Sequence, residues 1–150
     1  MVIFYEFSQL DIMARFSLTQ ETNKYCRTRG ANLMHRILVI DDEPNIRNIL
    51  SMMLKGLGYE VEVAEDGEKG IQLFRKPGNF DLVITDIRMP NIDGNELGAY
   101  IRNSHKSHTP LVAITAYPEE VQKNIFDFSL TKPFKLKDVN RIVRSFENNR

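Results

Sequence analysis

Five reactive side chains stand at or just after the ends of short apolar runs. Asp41 and Asp42 follow Ile37-Leu-Val-Ile40, and Asp86 closes the run begun by Leu82-Val-Ile84. Thr115 ends Leu111-Val-Ala-Ile114, and Lys132 follows Phe128–Thr131. Gathered in one place, three carboxylates repel one another and resist ionisation unless a cation joins them. A hard divalent ion answers that demand, and Mg²⁺ takes one or two carboxylates together with water and phosphate oxygens. One carboxylate can then attack a phosphoryl group while the metal neutralises the oxygens on the transferring phosphorus. Lys132 would bring a second positive charge, and Thr115 could donate a hydrogen bond to the product phosphoryl.

Other chemistries lack support. His35, His105 and His108 have no neighbouring ligand set for zinc, and His105 and His108 fall in a polar Ser/Lys loop expected to be solvent-exposed. Neither type of Gly-rich phosphate loop is present, so ATP or NAD binding is not indicated. The Gly-x-Ser-x-Gly elbow of serine hydrolases is missing too.

For the five side chains to meet, their strands must lie side by side and parallel. The continuous apolar runs suit strands buried on both faces. After the first strand, Ile46, Ile49, Leu50, Met53, Leu54 and Leu57 recur at helical spacing. Pro44 sits in that helix's first turn, and Gly56 and Gly58 supply its stop. Val61 and Val63 mark a second strand, and Gly67–Lys76 a short helix that Pro77-Gly78 ends. A loop over Met89–Gly94, with Gly94 free to adopt positive φ, leads into a helix through Leu97, Tyr100 and Ile101. A brief helix near Pro118–Ile125 joins the fourth strand to a weak fifth strand, Phe128–Thr131. A last helix from Leu136 buries Val139, Ile142, Val143 and Phe146. Five βα units in succession predict an α/β protein with a doubly wound, five-stranded parallel sheet. Its ligand crevice lies at the carboxyl ends of the strands.

Composition bounds the rest. At 150 residues, 42% hydrophobic and 27% charged, the chain is one domain's worth of globular protein. Its 20 basic and 20 acidic residues cancel, leaving no global footprint for nucleic acid or anionic lipid. No membrane insertion or export signal is indicated. The single cysteine, Cys26, points to a reducing cytoplasm. Residues 1–34 read as an N-terminal extension with a short helix or strand near Val2–Phe16. The extension is read first as a partly ordered tail without chemistry, with packing on the domain or self-association as a homodimer through Phe4, Tyr5, Phe7 and Phe16 as the alternatives. Met34, directly before the first strand, is a candidate translation start. The extension is expected to give way to the domain at 35–150.

Four stretches resemble the response-regulator receiver domain, the phosphoacceptor module of two-component signalling. They are Ile37-Leu-Val-Ile-Asp-Asp-Glu-Pro44, Asp81-Leu-Val-Ile-Thr-Asp-Ile-Arg-Met-Pro90 with Asp93-Gly94, Leu111-Val-Ala-Ile-Thr-Ala116, and Thr131-Lys-Pro-Phe134. The resemblance covers about 36–148 and implies the flavodoxin-like strand order 2-1-3-4-5. It implies Asp86 as the phosphoacceptor, with a histidine kinase or histidine phosphotransfer protein as donor. Mg²⁺ would be held by Asp41, Asp42, Asp86 and the backbone carbonyl of Arg88, with Asp42 a more direct ligand than Asp41. Thr115 and Lys132 would contact the phosphoryl group, and the Lys132–Pro133 bond would be cis. Self-phosphorylation from phosphodonors, autodephosphorylation and signalling by docking on a downstream effector protein are implied as well. Arg88 and Tyr117 would flank the path of the hydrolytic water, and their bulk predicts a long phosphoryl lifetime.

The sequence also departs from that family. The aromatic residue usual three positions before the lysine is Ser129 here. Phe128, on the opposite face by sheet alternation, reads as ordinary core packing. The interval from Thr115 to Lys132 is short, so the intervening helix should be shortened or irregular. Lys123–Arg150 carries a net charge of +4, read as a solvated helical face, and direct nucleic-acid contact is not expected. An aspartyl phosphatase is disfavoured because its acid/base position holds Arg88. The favoured reading is a receiver expected to stand alone, and the competing one is a phosphorylation-independent interaction domain of the same fold.

Overall fold

In the computed structural model, residues 36–147 are described. The expectations for residues 1–34, including the boundary with the domain, lie outside them. The elements run β1 (Arg36–Ile40), α1 (Pro44–Gly56), β2 (Glu60–Ala64), α2 (Gly67–Arg75) and β3 (Leu82–Thr85). They continue with α3 (Gly94–Arg102), β4 (Leu111–Thr115), a 3₁₀ turn (Pro118–Glu120), β5 (Phe128–Thr131) and α4 (Leu136–Glu147). The five strands form one sheet in the order β2-β1-β3-β4-β5. Every pairing is parallel, with Ile40 opposite both Ala64 and Thr85, and Thr115 opposite Thr131.

Strand alternation divides the apolar residues between two cores. Leu38, Ile40, Val83 and Ala113 face Phe74 of α2 and Leu97 and Ile101 of α3. Ile37, Val39, Ile84 and Val112 face Leu50 and Leu54 of α1 and Val139, Ile142 and Val143 of α4. Because both faces are covered, the central strands need apolar residues at every position, which is why their runs are continuous. Among the described residues, no helix is long and apolar enough to cross a membrane.

The helix ends follow local chemistry. Pro44 occupies the first turn of α1, and Gly58, at φ 99°, closes its far end. Asp93 and Glu96 cap α3 reciprocally: Asp93 Oδ1 accepts from the Glu96 amide at 2.8 Å, and Glu96 Oε2 from the Asp93 amide at 3.0 Å. Gly94 does not take the positive φ expected of it. In that loop the left-handed residue is Asn91, at φ 68°. What Gly94 supplies is close approach, since a Cβ there would lie 2.1 Å from the Asp86 carbonyl oxygen.

Between β4 and β5 the expected brief helix reduces to the single 3₁₀ turn Pro118–Glu120. Residues 116–127 must return the chain along the sheet. The turns needed at both ends of so short a crossover take up part of it and leave few residues for regular helix. Val121, Ile125 and Phe126 nevertheless bury themselves against the sheet, and Gly98 of α3 gives Ile125 room. Arg102 takes up the loose backbone. Its guanidinium donates to the carbonyls of Ile125, Ser107 and Thr109 at 2.6–2.8 Å and to Asp127 Oδ2 at 2.8 Å.

Phe128 also departs from expectation: it is 43% exposed rather than packed in the core. It opens an edge strand, which has a neighbour on one side only. Ser129 is exposed as well. His105 and His108 are exposed, as are Lys135 just before α4 and Lys137, Arg141 and Arg144 along it, as expected of a solvated face.

A long-range tie joins the start of β2 to the end of α4, where the Tyr59 hydroxyl donates to Glu147 Oε1 at 2.5 Å. Burial, and then the neighbouring carboxylate, push the Tyr59 phenol well above the ordinary tyrosine range. A folded pKa above the unfolded one means a stabilising contribution that is complete below about pH 10 and lost as pH rises through the higher folded value. Ultraviolet titration should therefore show one tyrosine ionising late. Tyr59→Phe should abolish that late step and lower stability by about 1 kcal/mol.

Candidate functional site

The crevice at the carboxyl ends of β1, β3 and β5 gathers the acidic residues and the lysine. Asp41 continues β1, its amide bonding the Ala64 carbonyl at 3.2 Å, and its side chain is 1% exposed. Its Oδ1 accepts from the Glu43 amide at 2.8 Å and its Oδ2 from Lys132 Nζ at 2.9 Å. Asp86 continues β3, its amide bonding the Ile40 carbonyl at 2.9 Å. Its Oδ1 accepts from the Ile87 amide at 2.7 Å and its Oδ2 from Lys132 Nζ at 3.0 Å. One ammonium therefore bridges carboxylates from two adjacent strands. The Lys132–Pro133 bond is cis.

Burial raises the pKa of Asp41, and the bonds from Lys132 and the Glu43 amide only partly offset it. For Lys132, burial by itself would lower the pKa, but the bonds to Asp41 and Asp86 overcome it and raise the value above the ordinary lysine range. The lysine thus stays charged at neutral pH. One oxygen each from Asp41, Asp42 and Asp86 lies within 4.8 Å of the others. Three carboxylates against one ammonium leave excess negative charge, and Asp42 is exposed to solvent at the edge of the cluster. A set of hard oxygen donors with surplus charge fits a divalent cation such as Mg²⁺.

Thr115 is fully buried, and its Oγ1 accepts from the Tyr117 amide at 3.1 Å. Its hydroxyl is tied to its own loop and makes no hydrogen bond to the carboxylates among the described residues. The Arg88 side chain pairs with Glu120 and makes no hydrogen bond to the carboxylates of the cluster among the described residues. Its guanidinium forms a fork with the Glu120 carboxylate, with Nε to Oε2 at 2.8 Å, and lies 3.4 Å over the centroid of the Tyr117 ring. Arg88, Asp42, Met89, Asp93, Asn95 and Glu120 line an open groove of about 570 Å³ beside the acidic cluster.

Sequence reasoning missed two participants. Glu43 lies 3.3 Å from Lys132 Nζ, and its place beside the Asp pair was a visible signal. Glu120 left none, because its pairing with Arg88 depends on the path of the irregular crossover.

Comparison with known proteins agrees with this geometry. The sequence profile of the response regulator receiver domain matches residues 37–144. The chain belongs to the response regulator receiver family. TrrA of Thermotoga maritima, whose structure was determined in complex with Mg²⁺-BeF, is 39% identical, with a TM-score of 0.68 over 75% of this chain and 99% of that one. The complex of TrrA with histidine kinase ThkA matches equally well, with a TM-score of 0.68 over 75% of this chain and 98% of the other. The regulatory protein AtoC of Escherichia coli is 37% identical over 117 residues, which are 74% of this chain and 25% of AtoC. The receiver spans between a quarter and half of the length of the curated relatives it matches.

Proposed function

We propose that this receiver accepts a phosphoryl group on Asp86 from a histidine kinase or histidine phosphotransfer protein and signals by docking on an effector protein. The observation that carries this reading is the bridge of Lys132 Nζ to Asp41 and Asp86, at 2.9 and 3.0 Å, inside a three-carboxylate cluster. A carboxylate oxygen of Asp86 would attack phosphorus. The phosphorus–nitrogen bond to the donor histidine would break, and the imidazole would leave with the electron pair and take up a proton. Mg²⁺, held by Asp41, Asp42, Asp86 and the Arg88 carbonyl, would neutralise phosphoryl oxygens during transfer. Lys132 would move from bridging two carboxylates to contacting the phosphoryl group, and Thr115 would turn from the Tyr117 amide to donate to it. The pairing of TrrA with a histidine kinase supports the donor class, and its Mg²⁺-BeF complex supports the cofactor. The functional domain is taken as residues 35–150, and the single Cys26 accords with a cytoplasmic setting.

Incubation with acetyl phosphate and Mg²⁺ should add the mass of one phosphoryl group, mapped to the peptide carrying Asp86, and chelation of the metal should prevent it. A phosphorylation-independent interaction domain is the second reading, favoured by the 3₁₀ crossover and the exposed Ser129. Absence of labelling with either acetyl phosphate or a phosphorylated histidine donor would establish that reading instead.

A further inference from the structure

At the amino ends of the strands, on the sheet edge opposite the carboxylate cluster, one ammonium rivets two loops together. The loop after α2 runs into β3, and the loop after α3 runs into β4. Gly78, at φ 95°, turns the first loop so that the carbonyls of Phe74, Lys76 and Gly78 converge. Lys106 Nζ, from the second loop, donates to those three carbonyls at 3.0, 3.1 and 2.7 Å and lies 5.3 Å from the centroid of the Phe74 ring. All three N–H groups of the ammonium are thus engaged by neutral acceptors, which leave its charge uncancelled. The same contact caps the C-terminal end of α2, so Arg75 and Lys76 are not needed to satisfy its carbonyls. Both are exposed. Among the described residues, none of Arg75, Lys76 and Lys106 forms an ion pair with a carboxylate. Residues 72–80 and 103–110 contain no Asp or Glu. The carboxylates at their borders are engaged elsewhere: Asp81 Oδ2 accepts from the Arg36 amide at 3.0 Å, Glu62 pairs with the Arg36 guanidinium, and Asp127 pairs with Arg102.

We propose that this patch, Arg75 and Lys76 set around Lys106, is a docking surface for an acidic segment of a partner protein. It stands independently of the phosphoacceptor role of Asp86. Three cations without counter-ions attract carboxylates, and the planar Arg75 guanidinium suits a carboxylate in a two-point fork. The Lys106 rivet fixes the two loops before binding, so less ordering is required on contact. His105, His108 and Asn79 are exposed and add polar groups to the same two loops. A lipid surface fits less well, because none of the exposed large apolar side chains lies in either loop to enter a bilayer. Nucleic acid also fits less well. Neither loop offers a helix for a groove or an exposed Phe or Tyr on which bases would stack, and the 20 basic and 20 acidic residues of the chain leave no net field to draw in a polyanion. An acidic peptide needs only a few local contacts. Because the patch and the carboxylate cluster lie at opposite edges of the sheet, a partner held here leaves the phosphoryl site open.

The full chain, isotopically labelled, tests this in a titration with a synthetic octaglutamate peptide followed by backbone amide resonances. Shifts should centre on residues 75–79 and 104–108. They should fade as added salt shortens the screening length from ~30 Å at 0.01 M to ~8 Å at 0.15 M. Arg75→Glu combined with Lys76→Glu should weaken binding on the order of tenfold or more, with Tm and labelling by acetyl phosphate unchanged. Arg75→Gln combined with Lys76→Gln should give a smaller loss in the same direction. Shifts centred instead on Lys137, Arg141 and Arg144 of α4, or no shifts in the two loops, would overturn the proposal. So would undiminished affinity in the charge-reversed variant. Tighter binding of a single-stranded oligothymidine of equal charge at the same amides would overturn it in favour of a nucleic-acid ligand.

Discussion

Asp86→Asn is expected to abolish phosphoryl uptake from acetyl phosphate, a loss on the order of a thousandfold or more in rate, with the fold left standing. The amide nitrogen of asparagine carries no nucleophilic electron pair, whereas the carboxylate does. The amide oxygen can still accept from the Ile87 backbone N–H, which now bonds Asp86 Oδ1 at 2.7 Å, so the loop after β3 keeps its anchor. Asp86 lies next to Asp41 and helps to raise its pKa, so removing one negative charge from the cluster also relieves repulsion. Thermal stability should therefore be unchanged or slightly increased while labelling disappears. Lys132 loses one of its two buried partners, and its pKa should fall toward the ordinary lysine value. Intact mass and a melting curve on the same sample check both halves. Undiminished labelling in the variant would place the acceptor on another residue.

A second large effect is expected at Gly94, where alanine should cost about 3 kcal/mol of stability and lower Tm by roughly 10 °C. An added Cβ would sit 2.1 Å from the Asp86 carbonyl oxygen, 2.9 Å from Ile87 Cα and 3.0 Å from the Asp86 carbonyl carbon. All three neighbours are main chain, so no rotamer change can make room. Moving α3 away would break the bond from the Gly94 amide to the Ile87 carbonyl, 2.8 Å long, that closes the loop. Moving the loop instead would shift Asp86 relative to Lys132. Either adjustment disturbs the acceptor, so phosphoryl uptake at a temperature where the variant is still folded should slow as well. Denaturant titration gives the stability, and labelling rates below the transition give the functional part. A fully stable Gly94→Ala with normal uptake would show that the loop has slack that its contacts do not suggest.

Much of this was legible in the amino-acid sequence because the physics involved is local. Continuous apolar runs such as Leu82-Val-Ile84 mark strands buried on both faces, and Pro44 and Gly58 mark helix ends by their own backbone preferences. Once the strands are parallel, the residues that follow them must share one edge of the sheet. The convergence of Asp41, Asp42, Asp86 and Lys132 therefore follows from chain order alone. Other features escaped because they depend on neighbours distant in sequence. A core position for Phe128 was a reasonable expectation for a large apolar residue in a strand, but its exposure depends on the edge place of β5. Gly94 was correctly marked as special for the wrong reason, since steric closeness to Asp86 comes from packing and not from its own φ.

Chain order and apolar periodicity by themselves determined a five-stranded parallel sheet with the polar residues at one edge, because that follows from backbone geometry and from the burial of successive side chains, whereas the strand order came from the family resemblance. Only the tertiary structure decided that the crossover is a 3₁₀ turn held by Asn95 and Arg102, and that Glu120 engages Arg88 across the loops. Those pairings join residues more than twenty positions apart, and their distances are set by how the elements pack rather than by any local pattern.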